Sequence, residues 1–129
     1  MKNIRVLIVD DFPHVRQGLA TVLKLASIQK GLGIDVIGEA RNGREAIQQA
    51  QSLHPDVILM DLEMPVMDGY KATHFLKQAA LMVWIIALTI HGDPISRQKA
   101  VQAGVDDFIE KGAPFEELIQ KIQLYRRAL

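Results

Sequence analysis

Cysteine is absent from the 129 residues. That excludes disulfides, thiolate metal sites and cysteine nucleophiles. Net charge is absent as well, because 15 Lys and Arg balance 15 Asp and Glu. A neutral balance leaves no electrostatic footprint for direct nucleic-acid binding or for an anionic membrane. No apolar run approaches the ~20 residues that a membrane span needs. From Lys2 and Arg5 the N-terminus enters a short apolar run that ends at Asp10-Asp11, too short for a secretory signal. The four histidines, His14, His54, His74 and His91, show no metal-ligand spacing. Internal repeats and low-complexity tracts are missing. The default expectation is an intracellular globular protein without a membrane segment. The composition supports this, with 49% hydrophobic and 23% charged residues, enough for one domain with one core.

The most informative stretch is Asp56-Val57-Ile58-Leu59-Met60-Asp61, in which four apolar residues run into a carboxylate. Leu62-Glu63-Met64-Pro65 and Met67-Asp68-Gly69 follow as loop and turn. A short apolar run bounded by turn signals reads as a strand buried on both faces, as in a parallel sheet. Asp61 then stands at the carboxyl end of a central strand, the edge where open α/β sheets bind ligands.

The rest of the chain repeats that alternation. Ile4 to Val9 is a first strand ending at Asp10-Asp11, and Pro13 opens a helix whose inner face is Val15, Leu19, Val22, Leu23 and Ala26. Val36 to Ala40 is a second strand. Asn42-Gly43-Arg44-Glu45 is close to a capping box before a helix with Ala46, Ile47, Ala50 and Leu53 inside. Tyr70, Phe75, Leu76 and Ala79 outline a third helix, and Met82 to Leu88 a fourth strand ending at Thr89. Asp93-Pro94 opens a fourth helix with Ala100 and Val101 inside, closed by Gly104. Val105 to Glu110 holds a fifth strand ending at Lys111. Phe115, Leu118, Ile119, Ile122 and Tyr125 mark a last helix.

Five β-α units predict an α/β fold, a five-stranded parallel sheet doubly wound with right-handed crossovers, over a single domain of residues 1–129. Strand ends distant in sequence then meet at one edge. Three carboxylates there, Asp10, Asp11 and Asp61, repel one another unless a cation sits among them. Oxygen ligands suit a hard divalent ion such as Mg²⁺. An Asp carboxylate can attack phosphorus, and Lys111 and Thr89 suit the oxygens of a transferring phosphoryl group. Taken singly, each residue also has a plain reading. Asp10-Asp11 and Asp61 serve as turn caps, Lys111 as a surface lysine, Thr89 as a strand residue and Phe108 as a core aromatic. Met60, Met64, Met67 and Met82 read as packing or loop residues, and Trp84 as buried near the start of its strand.

These motifs, in this order and spacing from Ile4 to about Tyr125, resemble the receiver domain of bacterial two-component response regulators, a flavodoxin-like or CheY-like fold. The resemblance implies that Asp61 is the phosphoacceptor, fed by a phosphohistidine of a sensor histidine kinase. It implies Mg²⁺ held by Asp11 and Asp61 through side chains, Asp10 through water and Glu63 through its backbone carbonyl. Thr89 falls on the family's switch hydroxyl and Phe108 on its switch aromatic. Their movement reshapes the face made by the fourth helix, fifth strand and fifth helix, with a homodimer as one outcome. Val36 to Ala40, Asn42 to Ala46 and Ala113 to Leu118 are worded like the LuxR-type (NarL/FixJ) subfamily. Its members usually carry a C-terminal helix-turn-helix domain and control transcription. Residues 126–129 would then begin a linker to an output domain not contained in this sequence; a stand-alone receiver acting through protein contacts is the other reading. The domain itself would transfer and hydrolyse only its own phosphoryl group.

Three departures stand out. The Ser27–Asp35 connection is longer than usual, Gly112 replaces the proline that often follows the lysine, and Glu63 and His91 occupy the positions where the family sets its dephosphorylation rate. Two other classes fit parts of the chain. Asp61-Leu62-Glu63 matches the acidic-x-acidic pattern of aspartate-nucleophile phosphatases, although those place it after the first strand. A flavodoxin-like FMN module needs a phosphate-cradling loop where this chain has Asp10-Asp11-Phe12-Pro13.

Overall fold

The computed structural model describes residues 2–79, 82–90 and 92–128. Along them run β1 (Ile4–Val9), α1 (Pro13–Lys30), β2 (Ile34–Ala40), α2 (Gly43–Leu53), β3 (Val57–Asp61), α3 (Gly69–Gln78), β4 (Trp84–Thr89), α4 (Pro94–Ala103), β5 (Asp107–Glu110) and α5 (Phe115–Arg127). The strands form one parallel sheet in the order β2-β1-β3-β4-β5. β3 is central and every one of its residues is buried, as its continuous apolar run requires.

Side chains alternate between the sheet's faces. Ile4, Val6, Ile8, Val57, Leu59, Ile86, Leu88 and Ile109 pack against Leu23 of α1 and against Leu118, Ile119 and Ile122 of α5. Leu7, Val9, Ile58, Met60 and Ile85 pack against α2 and α3. Ala87 and Leu62 meet Ala100 of α4 on that second side. The sheet is therefore covered by α1 and α5 on one face and by α2, α3 and α4 on the other.

Connections that leave β1 and β3 turn to opposite sides, because β1 leads outward to β2 and β3 leads the other way to β4. The crevice beyond the carboxyl ends of β1 and β3 is thus the topological switch point, where such sheets bind ligands. Asp10, Asp11 and Asp61 fall there by chain order alone.

Local chemistry sets the element ends. Asn42 accepts the Glu45 N–H at 2.9 Å, while the Glu45 carboxylate reaches back to the Arg41 N–H at 3.1 Å, one residue earlier than a strict capping box. Asp68 caps α3 by accepting from the Lys71 N–H at 2.8 Å, and Asp93 caps α4 through the Ser96 N–H at 3.1 Å. After Ser27, α1 continues to Lys30, and the Ser27 hydroxyl oxygen accepts from the Ile34 N–H at 2.9 Å.

Some inner-face expectations change. Phe75 (47% exposed) and Val101 (68%) point outward, and Ala79 caps the end of α3 at the surface. The inner residues of α3 are Ala72, Thr73 and Leu76, and the buried residue of α4 is Ala100. Small side chains let these helices lie close to the sheet, so larger neighbours turn away. Met82 is exposed and precedes the fourth strand, because β3 begins at Val57, which pairs with Trp84. Trp84 is half-buried, with its indole N–H enclosed. Met60 is core, while Met64 and Met67 pack at its edge. Arg126 and Arg127 belong to α5, and Arg126 donates to the carbonyls of Leu32, Lys2 and Gly33.

Candidate functional site

Alternation continued past the strand ends positions the site. Asp61 follows Val57 and Leu59, Asp10 follows Ile4, Val6 and Ile8, and Lys111 follows Ile109, so all three share the α1/α5 side. The structure brings them into contact: Lys111 Nζ lies 2.8 Å from Asp10 Oδ2 and 3.3 Å from Asp61 Oδ1. Thr89 and Phe108 have the other parity, that of Ala87, and face α4.

Asp10 is fully buried and Asp61 is 3% exposed. Asp10 Oδ1 accepts from the Phe12 N–H at 3.0 Å, which turns the chain into α1. Asp61 Oδ1 accepts from the Glu63 N–H at 3.3 Å. Oxygen atoms of Asp10, Asp11 and Asp61 all lie within 4.8 Å of one another. Asp11 Oδ1 is enclosed and has no hydrogen-bond partner among the described residues. An enclosed acceptor without a donor is costly, and three converging carboxylates answer only part of their charge with one lysine. A hard divalent cation resolves both problems, and an all-oxygen donor set suits one. The cluster could hold a metal.

Burial is the largest influence on Asp61 and pushes its pKa up to about 6, with the Asp10 charge adding to the rise; the Lys111 charge and the Glu63 N–H hold it down in part. Burial alone would lower the pKa of Lys111, but its hydrogen bond to Asp10 and the charges of Asp61 and Asp10 raise it instead, so it stays protonated.

Two loops frame the carboxylates. After β3, Gly69 lies against the Asp61 carbonyl so closely that a Cβ would collide with backbone on that side, and its N–H donates to Leu62 O at 3.0 Å. Gly43 donates to Met67 O at 2.8 Å, which pins the same loop to the start of α2. After β5, the Lys111 N–H donates to Thr89 O at 2.7 Å, tying the lysine to the end of β4. Thr89 is 2% exposed at that strand end. Glu63 is exposed beside Asp61. His91 lies outside the described residues. Phe108 is half-buried against Ala87 and Ala100, and the Arg97 guanidinium carbon stands 4.8 Å from its ring centre. No sequence pattern signals that contact, which joins a helix to a strand with no periodic relation between them. At Gly112 the backbone adopts φ +92°.

An open parallel sheet with this order and an acid-lined switch point defines a class of signalling domain. The chain belongs to the response regulator receiver domain family, whose pattern matches residues 6–123. It is 37% identical over 121 residues to the response regulator GacA of Pseudomonas viridiflava, covering 94% of this chain and 54% of that protein. It is likewise 37% identical over 120 residues to the response regulator protein VraR of Staphylococcus saprophyticus, covering 93% of this chain and 55% of that one. The fold matches the receiver domain of NarL from Mycobacterium tuberculosis with a TM-score of 0.87 at 28% identity, covering 95% of this chain and 94% of that one. The chemotaxis protein CheY4 of Vibrio cholerae matches at 0.83 and 29%, covering 98% of this chain and 99% of that one. The chain spans about half the length of the curated regulators it matches. A phosphoacceptor switch fits this family and this site, and LuxR-type regulators are among the relatives.

Proposed function

We propose that Asp61 accepts the phosphoryl group of a two-component relay and that the other site residues hold and answer its charge. The observation that carries this is the convergence of Asp10, Asp11 and Asp61 within 4.8 Å, with Lys111 Nζ 3.3 Å from Asp61 Oδ1. The donor is a phosphohistidine of a sensor histidine kinase. A carboxylate oxygen of Asp61 attacks phosphorus, the bond from phosphorus to the donor nitrogen breaks, and an acyl phosphate remains. Asp10, Asp11, Asp61 and the Glu63 backbone carbonyl are the groups that would hold Mg²⁺. When bound, the ion neutralises phosphoryl oxygens and relieves carboxylate repulsion. Lys111, held by Asp10 at 2.8 Å, offers a positive charge to the same oxygens. Thr89 supplies a hydroxyl at the end of β4, and Phe108 occupies the α4 side of the same sheet. A charge event at Asp61 then biases the α4–β5–α5 face between two arrangements.

The output would be transcription through a helix-turn-helix domain, as in LuxR-type regulators, with homodimer formation following phosphorylation. A relative from Alkalilimnicola ehrlichii, 41% identical over 111 residues, is a protein-glutamate methylesterase/protein-glutamine glutaminase, and the match covers 27% of it. Receivers of this kind thus stand beside different outputs, and the switch itself is the common part.

Intact mass after incubation with Mg²⁺ and acetyl phosphate tests the reading. Wild type is expected to gain one phosphoryl group that hydroxylamine removes, and Asp61→Asn none. Equal labelling of the variant would overturn the site.

A further inference from the structure

α4 is thinly embedded. Its buried residue is Ala100, while Ile95 and Val101 are 79% and 68% exposed. Two side-chain cations add further contacts. Lys99 Nζ stands 4.2 Å from the ring centre of Tyr70 in α3. Arg97 reaches three other groups at once: the Phe108 ring at 4.8 Å, Glu110 Oε1 at 3.7 Å, and the Gly92 carbonyl, to which its Nε donates at 3.1 Å. Gly92 lies on the connection from Thr89 to α4, and Glu110 pairs with Thr89 in the ladder. One guanidinium therefore joins the connection after β4, the aromatic ring of β5 and the last residue of β5. Any displacement of Thr89 or Phe108 has to reshape those contacts.

We propose that Arg97 is a positioning residue that latches Phe108 and the β4–α4 connection in the arrangement described above and so sets how readily the switch is thrown. This rests on the reading of Asp61, Thr89 and Phe108 given above. Contacts that must break when Thr89 or Phe108 moves lower the apparent affinity of any ligand that requires that movement. Cation–π contacts at exposed sites have a strength that corresponds to about a two- to fivefold change in that affinity.

The test uses beryllofluoride with Mg²⁺ as the phosphoryl mimic. Arg97→Met keeps the reach of the side chain without its charge, and Arg97→Lys restores a cation over the ring. Arg97→Met is expected to bind the mimic about two- to fivefold more tightly, with Arg97→Lys between it and wild type. In the unliganded Arg97→Met protein, the Phe108 ring signals in NMR should move toward their liganded positions. In a Phe108→Leu background the gain from Arg97→Met should disappear, which a general loosening of α4 would not produce. Unchanged or weaker binding by Arg97→Met would overturn the latch, as would an equal gain without the Phe108 ring. If wild type itself fails to bind the mimic, the phosphoacceptor reading falls and the latch with it.

Discussion

Asp61 is costly to the fold when it is charged. Its pKa stands at about 6, raised chiefly by burial, against 3.8 for the ordinary group. Folded protein therefore holds a proton that unfolded protein has already released. Stability should fall as pH rises from about 4 to about 6, with the full penalty present above that range. In metal-free buffer, Asp61→Asn is expected to be more stable than wild type by at most about 3 kcal/mol above pH 6, with the difference closing near pH 4. Thermal melts across that pH range check it, and a constant difference would contradict it. Asp11 makes the matching prediction for the cation. Its enclosed Oδ1 lacks a donor among the described residues, so Mg²⁺ should raise the melting temperature of wild type. Asp11→Asn should lose most of that increment. At this scale the sequence placed Asp10, Asp11, Asp61, Thr89 and Lys111 at strand ends, because chain order and side-chain parity decide those positions. It did not disclose that Arg97 covers Phe108, since that contact depends on how far α4 is displaced along the sheet.

The loop after β3 is the element that fixes Asp61 in place, and two of its residues work in opposite directions. Gly69 has no room for a side chain against the Asp61 carbonyl. Gly69→Ala must displace backbone on one side or the other, at a cost of about 1–3 kcal/mol. Phosphoryl uptake should slow with it, because the displaced backbone carries Asp61, the proposed acceptor. Val66 is strained instead: it is β-branched, 79% exposed, and held at φ 71°. Val66→Gly should stabilise the protein by about 1 kcal/mol, read as a higher denaturant midpoint; a lower midpoint would show that the valine makes contacts outweighing its strain. Among the helices, α1, α2 and α5 were legible from apolar periodicity, because their inner faces carry large aliphatic residues or a clear alanine series. α3 and α4 were harder. Close approach to the sheet selects Ala72, Thr73 and Ala100, so the bulky Phe75 and Val101 mark the outer side.

Across the whole molecule, one sheet between two helical layers couples every element to the same core. Ile122 of α5 is fully buried in the core cluster that residues of β1, β3, β4 and β5 share. Ile122→Ala should cost about 2–5 kcal/mol and shift the whole unfolding transition rather than fray one end. Separate transitions by different probes would contradict that coupling. The same architecture brings four loops to one edge, where Asp61 is the proposed carrier of the phosphoryl group. Borohydride reduces an acyl phosphate to the alcohol, so treatment after incubation with Mg²⁺ and acetyl phosphate leaves homoserine at the modified aspartate. Peptide mass mapping then reads the position directly. Homoserine is expected at residue 61 and at no other aspartate; homoserine at Asp10 or Asp11, with Asp61 intact, would contradict the assignment of Asp61.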